Sequence, residues 1–538
     1  MNIILTALSA KNIHKTLAPW CLKAYLDTHM PGVSVEVQEH TVNNHVGDIV
    51  AELFQAAPDV VGFSCYIWNI EHTVKVATML KKLLPTCKII LGGPEVSFEP
   101  DCGAYPFAHA IVQGAGEVAF AELIQGLIAD EVPHGTLISS GSAMRLDELP
   151  SPYTEAYFDS FAAGCMVSIK NQLVYYESSR GCPFSCSYCL SSALCGIQEL
   201  SLERVFADIK RLLDHGATCI KFVDRTFNAN KYRAMEILRH IFSLETACTF
   251  HFEVAADLFD EETLQLISAM PPERVQFEIG IQSVHTATLD EINRSTNTTE
   301  ALRNIQTLAG FGNCHVHVDL IAGLPFETPE TFAAGIDACL QTKPHMLQLG
   351  FLKLLKGTEI REKREQYDYV SSDTPPYEVY RSNTMSFADI IRLHKIEAVI
   401  DKYYNSGAFA HTVGYAMEQV FGSPYQFFAT LADFCAGENL RVAPKRAYTT
   451  LFDFLCVHME RALAAHLIKL DCLTFSTKNV LPDRVLEQRD KVAENELRRS
   501  SAYRNIRIEH FAHDNKTRLF IYDERDAITG AHRVLELS

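Results

Sequence analysis

The sequence predicts an α/β protein in three parts: a doubly wound parallel sheet, a partial (β/α)6 barrel and a mostly helical C-terminal region. Strand-like and helix-like runs alternate through residues 1–137, the pattern of a parallel sheet covered on both faces. A second alternating series of six strand–helix units follows within 165–390, which suggests a closed or partly closed barrel. From 391 to 538 the apolar residues fall mostly at helical spacing. A Ser-, Gly- and Pro-rich stretch without period, 138–164, reads as a linker.

In the first part the strand-like runs are 2–9, 33–42, 59–67, 88–93 and 108–114, with helical patterns between them. Such sheets bind ligands at the carboxyl ends of their strands. The turns there are Gly62-Phe63-Ser64-Cys65, Gly92-Gly93-Pro94-Glu95 and Gln113-Gly114-Ala115-Gly116-Glu117. Glycines at these ends let a backbone approach something flat or bulky. In the second part the predicted strands are 173–180, 219–227, 249–256, 274–282, 315–323 and 346–352. Their period-two pattern sets His251 and Glu253 on one face, then Gln276, Glu278, Gly280 and Gln282, then His315, His317 and Asp319. With the apolar faces against outer helices, the predicted lumen is polar and encloses a polar ligand. The third part ends in a predicted hairpin, 517–538, with Thr529-Gly530 near its turn.

Composition bounds the function. At 538 residues, with 47% apolar and 21% charged side chains, the chain reads as a soluble multidomain protein. No apolar run approaches the roughly 18 residues of a membrane span. The start, MNIILTALSAKNIHK, lacks a basic n-region and reads as a first strand, so a cytoplasmic protein without a membrane partner is expected. A formal charge of −18, from 66 acidic and 48 basic residues, opposes nucleic-acid binding. The 16 cysteines are expected as reduced thiols, with any clustered set holding metal.

That cluster is Arg180-Gly181-Cys182-Pro183-Phe184-Ser185-Cys186-Ser187-Tyr188-Cys189, directly after the first barrel strand. Three thiolates at this spacing grip one face of a [4Fe–4S] cubane and leave one iron without a protein ligand. An open iron chelates the amino and carboxylate groups of a small molecule and passes it an electron. The rival is structural zinc, with Cys195 as the fourth ligand, but a second C-x2-C knuckle is missing from the sequence. Isolated cysteines such as Cys87, Cys219 and Cys339 read as small core residues.

A C-x3-C-x2-C motif after the first strand of a six-unit β/α series resembles the radical S-adenosylmethionine (radical SAM) superfamily. The doubly wound domain ahead of it is similar to the cobalamin-binding domain of one large branch of that superfamily. The resemblance spans about 1–360. It implies that Cys182, Cys186 and Cys189 ligate a [4Fe–4S] cluster whose fourth iron takes S-adenosylmethionine (SAM), cleaved reductively to methionine and a 5′-deoxyadenosyl radical. It places Tyr188 near the adenine and makes Asp224 the partner of the methionine ammonium. Glu253, Glu278 and Gln282 would hold the ribose or ammonium, Arg294 the carboxylate and Gln348 the adenine. In the first domain, Ser64, Gly92, Gly93, Gly114 and Glu117 would line the cobalamin site. Where histidine-binding cobalamin domains carry D-x-H-x-x-G, this chain has Asn12-Ile13-His14-Lys15-Thr16-Leu17. Without a carboxylate to orient it, His14 is not expected to be the lower cobalt ligand.

The implied function is methyl transfer to an unactivated centre of a small molecule or peptide, with electrons from a flavodoxin- or ferredoxin-like donor. Two alternatives stay open: a radical rearrangement, cyclisation or redox change, with or without cobalamin, and a non-catalytic cobalamin- or metal-binding protein.

Overall fold

The computed structural model describes residues 1–139, 144–161, 168–193, 196–437 and 439–537. Cys195 and part of the 138–164 linker lie outside the described residues. The chain divides into two compact units, Met1–Leu258 with Asp290–Ser295 and Leu352–Asn383, and Phe259–Leu289 with Thr296–Phe351 and Thr384–Ser538. No helix among the described residues is long and apolar enough to cross a membrane.

The first unit opens with a six-stranded parallel sheet. Its strands are β1 (Asn2–Ser9), β2 (Ser34–Thr41), β3 (Val60–Ser64), β4 (Lys88–Gly92), β5 (Ala110–Gln113) and β6 (Thr136–Ser139), in the order β2-β1-β3-β4-β5-β6. β1 is buried along almost its whole length, as a strand covered on both faces requires. Two apolar clusters flank the sheet, one around Val61, Ile89 and Leu80, the other around Ile3, Ile90 and Phe120. The sequence reading gave five strands here and missed β6, which straddles its boundary between the first domain and the linker. The half-exposed edge position of β6 gives Thr136-Leu137-Ile138-Ser139 only a weak apolar signal. The strand order reverses between β1 and β3, the switch point where such folds bind ligands. Asn69, 1% exposed, fastens that point: its amide donates to Leu8 O (3.1 Å) and Ser64 O (2.9 Å), joining the carboxyl ends of both strands.

The rest of the first unit carries β7 (Val174–Tyr176), β8 (Ser179–Gly181), β9 (Ile197–Glu199), β10 (Cys219–Phe222) and β11 (Thr249–Val254). β7, β10 and β11 pair in parallel, while β8 and β9 form a separate antiparallel pair that brackets the cysteine loop. The expected strand 173–180 is thus two short strands. The linker reading also needs amendment, because Tyr153, Tyr157 and Phe158 are buried and Thr154 caps a short helix, Glu155–Asp159.

The second unit holds β12 (Val275–Gln282), β13 (His315–Ala322) and β14 (Met346–Phe351), parallel to one another. Along β12 buried and half-buried residues alternate strictly, with Gln276, Glu278, Gly280 and Gln282 on the half-buried face. Beyond residue 383 come helices, among them Phe387–Ile400, Pro444–His458 and Arg461–Phe475, and a three-stranded antiparallel sheet. The expected terminal hairpin forms as Lys516–Arg525 with His532–Leu537, joined by a third strand, Ile506–Phe511.

Gly93 is the tightest backbone approach in the first sheet. It sits at φ +102°, and an added Cβ would lie 2.6 Å from Cys65 O. Gly93→Ala should lower stability by about 2 kcal/mol or more, since strain and clash act together. A urea midpoint equal to the parent's would show that this contact does not hold the two turns together.

Candidate active site

The cysteine loop starts from a constrained hinge. Gly181 adopts φ +101°, and an added Cβ would lie 2.1 Å from Gly196 O, so only glycine permits the β8–β9 pair to close ahead of Cys182. Below the hinge, Asp224 is 2% exposed and accepts from Ser178 N (2.7 Å), Ser178 Oγ (2.5 Å) and Ser179 N (3.0 Å). Burial pushes its carboxyl up to about 6 although these donors oppose the shift. The structure places Asp224 beneath the loop as a backbone clamp, with both oxygens engaged. The ammonium partner implied by the resemblance would need a carboxylate free to face a ligand.

Within the loop, Cys182, Cys186 and Cys189 are free thiols. Cys182 Sγ lies 3.7 Å from Thr226 Oγ1, beyond the end of β10. Ser187, buried at mid-loop, donates its N–H to Ile292 O and accepts from Ile360 N, both at 3.0 Å. Arg294 reaches in beside it, donating from Nη1 to Cys186 Sγ (3.6 Å) and Tyr188 OH (3.3 Å). Burial raises the Cys186 thiol, the Arg294 charge opposes that rise, and the neighbouring Cys189 and Cys182 add to it. Arg294 therefore stands at the thiols themselves, where a cation favours thiolate.

The sulfur geometry bears on which metal group fits. A tetrahedral zinc ion with Zn–S of about 2.3 Å holds its sulfurs about 3.8 Å apart. Among the described residues, the one set of three ligand groups whose atoms all lie within 4.8 Å of one another is Glu278, His317 and Asp319, and the three cysteines are not such a set. Three thiols on one loop are the donor set that a [4Fe–4S] cluster takes from a protein.

Other expected residues take varied places. Glu253 on β11 lies 3.7 Å from Lys221 Nζ. Glu278 on β12 converges with His317 and Asp319 of β13, where His317 Nε2 stands 3.0 Å from Asp319 Oδ1. Gln282 ends β12 at φ +68°, and Gln348 is exposed on β14. These last three expected residues belong to the second unit.

In the first sheet, Ser64 ends β3 half-buried. Gly92 has only ordinary contacts around a would-be Cβ, while the space beside Gly93 is taken by Cys65. Gly114 turns at φ +75° and donates to Ser97 Oγ (3.2 Å). Glu117 has both oxygens on Arg180, at 2.8 and 3.3 Å. Burial pushes the Glu117 carboxyl up, and the Arg180 guanidinium more than offsets it, leaving it below the usual carboxylate range. His14 bonds Tyr175 OH through Nδ1 (2.8 Å), and burial lowers its pKa.

Sequence reasoning missed Arg180, Asn69 and Glu95. Glu95, 3% exposed, pairs with Lys356 Nζ (2.9 Å) and accepts from Tyr377 OH (2.5 Å). Its position in Gly92-Gly93-Pro94-Glu95 was the available signal. Glu327, in Gly323-Leu324-Pro325-Phe326-Glu327, was missed too.

Comparison with known families assigns these parts. Residues 3–124 match the B12 binding domain, 176–339 the Radical SAM superfamily, and 365–523 a protein family of unknown function, DUF4080. The chain thus carries a B12 binding domain match ahead of a Radical SAM superfamily match. It is 28% identical over 321 residues to 2-(S-pantetheinyl)-carbapenam-3-carboxylate methyltransferase of Streptantibioticus cattleyicolor, covering 54% of this chain and 46% of that one. It is 26% identical over 336 residues to the cobalamin-dependent radical SAM methyltransferase TokK of Streptomyces tokunonensis, 58% and 49% of the two chains. The chain thus spans about half the length of these relatives. Its fold resembles that of the cobalamin-dependent SAM radical enzyme OxsB with aqua-cobalamin bound, with a TM-score of 0.60 at 15% identity over 87% of this chain and 79% of that one.

Glu327 yields a pH test. It is 1% exposed and accepts from Ser283 Oγ (2.6 Å), and burial pushes its carboxyl up to about 8. A carboxyl raised on folding contributes stability that is full below its unfolded value and lost as pH rises through the folded one. Relative to Glu327→Gln, the parent should lose stability between about pH 4.5 and 8 and level off above that. Urea midpoints across that range give the comparison, and parallel curves for the two proteins would refute the assignment.

Proposed function

We propose that this chain is a cobalamin-dependent radical SAM enzyme that transfers a methyl group to an unactivated centre of a small molecule or peptide. The observation that carries the reading is the glycine-hinged loop of three free thiols with Arg294 beside Cys186. The methyltransferase names of the two relatives support the reaction class.

Cys182, Cys186 and Cys189 would hold the [4Fe–4S] cluster, and the carboxyl edge of β1 and β3 would take the cobalamin. When bound, these groups supply reductive cleavage of SAM to a 5′-deoxyadenosyl radical and a carrier for the methyl group. The chain's own residues position and tune. Asp224 and Gly181 fix where the loop begins. Arg294 favours the thiolate form of Cys186 and, with Tyr188, forms a polar wall beside it. Asn69 ties the carboxyl ends of β1 and β3 together at the switch point. The electron enters from a low-potential donor of the flavodoxin or ferredoxin kind.

Anaerobic reconstitution with iron, sulfide and hydroxocobalamin should load about four irons per chain. Reduction in the presence of SAM should then release 5′-deoxyadenosine, and S-adenosylhomocysteine as the mark of methyl transfer. Cys186→Ala should release deoxyadenosine only at the level of a protein-free control. Parent-like release from that variant would overturn the site, and deoxyadenosine without S-adenosylhomocysteine would point instead to rearrangement or redox chemistry.

A further inference from the structure

We infer that Glu117 and Arg180 are a positioning pair that fixes the cysteine loop to the B12-binding domain, so that Glu117 acts through Arg180 and is not a contact to cobalamin. The inference deepens the proposed function and rests on it for the identity of the two cofactors.

Glu117 lies in the first turn of helix Gly116–Ile128, directly after β5 of the first sheet. Its side chain is 8% exposed. Arg180 lies in β8, two positions before Cys182. Its guanidinium forks onto Glu117, with Nη2 to Oε1 at 2.8 Å and Nη1 to Oε2 at 3.3 Å. The same group grips Glu177 through Nε (3.0 Å) and Nη2 (2.8 Å). One planar cation thus joins a helix of the B12-binding domain to the strand that launches the cluster loop. Arginine suits this because its fork meets carboxylates bidentately in fixed geometry.

Two arguments set Glu117 apart from a ligand contact. Both its oxygens are turned to Arg180, so turning them to a cobalamin would break a partly buried ion pair and leave Arg180 with one carboxylate fewer. The first turn of a helix also favours a carboxylate there without any ligand. The pair therefore makes the carboxyl end of β5 and the root of the cysteine loop one mechanical piece. Any displacement of that helix start is passed to the residue two before Cys182.

The test uses the full reconstituted chain and two readouts, hydrogen exchange of residues 181–189 and equilibrium binding of hydroxocobalamin. Glu117→Gln keeps the shape and removes the charge; Arg180→Lys keeps the charge and removes the fork. Losing a charge-assisted hydrogen bond should speed exchange across 181–189 by about tenfold in each variant. Hydroxocobalamin affinity should stay within about twofold of the parent's, since no cobalamin contact is lost. Unchanged exchange at 181–189 in both variants would overturn the inference. So would a loss of cobalamin binding in Glu117→Gln that Arg180→Lys does not share. If Glu117→Gln is insoluble, exchange in Arg180→Lys decides alone. Neither readout needs SAM cleavage or methyl transfer, so a failure of the functional reading is seen separately.

Discussion

Everything at the cysteine loop depends on a buried carboxylate that binds backbone. Asp224 takes two main-chain N–H groups and one hydroxyl from Ser178 and Ser179, groups that β7 and β8 leave without strand partners at their junction. Buried backbone donors left unpaired would each be costly, so the junction exists only because a side chain from beyond β10 satisfies it. The chain then passes through Gly181, where no other residue fits against Gly196 O. Between them these two constraints define the origin of the loop, and the thiols inherit their position from it.

The interior around this origin is more charged than a core needs for stability. Replacing a buried ion pair by apolar side chains is often neutral or stabilising. Glu117, Glu177 and Arg180 nevertheless meet in one cluster, and Glu95 with Lys356 in another. What such groups provide is direction: an apolar contact tolerates sliding, whereas a forked guanidinium fixes distance and orientation together. Both clusters also join segments remote in sequence, 117 with 180 and 95 with 356 and 377.

The sequence made some of this legible and hid the rest for identifiable reasons. β1, β3 and β4 were plain because strands buried on both faces are continuous apolar runs, whereas β6 at the sheet edge carried two apolar residues in four. The alternation on β12 matched its burial residue by residue. The cysteine triplet was readable because its spacing is local, within eight positions. Asp224 and Glu117 were readable as polar residues at strand ends, but their partners were not, since those partners lie 46 and 63 residues away. The same limit hid Asn69, whose two carbonyl acceptors come from different strands. Residue type marks a functional position; only the fold shows what occupies its hydrogen bonds.

Five buried carboxylates are stabilised in two ways, and the difference decides how each answers pH. Glu117 faces a guanidinium, and Glu494 faces Arg489 and Arg498, so both stay below the usual carboxylate range in spite of burial. Asp224, Asp471 and Glu327 are served mainly by uncharged donors, and burial lifts them to about 6, 7 and 8. A neutral donor lowers a carboxyl less than a full charge does, so desolvation wins in the second group and loses in the first. The tie between the B12-binding domain and the cysteine loop belongs to the first kind. It stays ionised across the range in which the second kind changes protonation. The chain has thus given its inter-domain tie to the interaction that pH disturbs least, and left the titrating carboxyls to clamps within single domains.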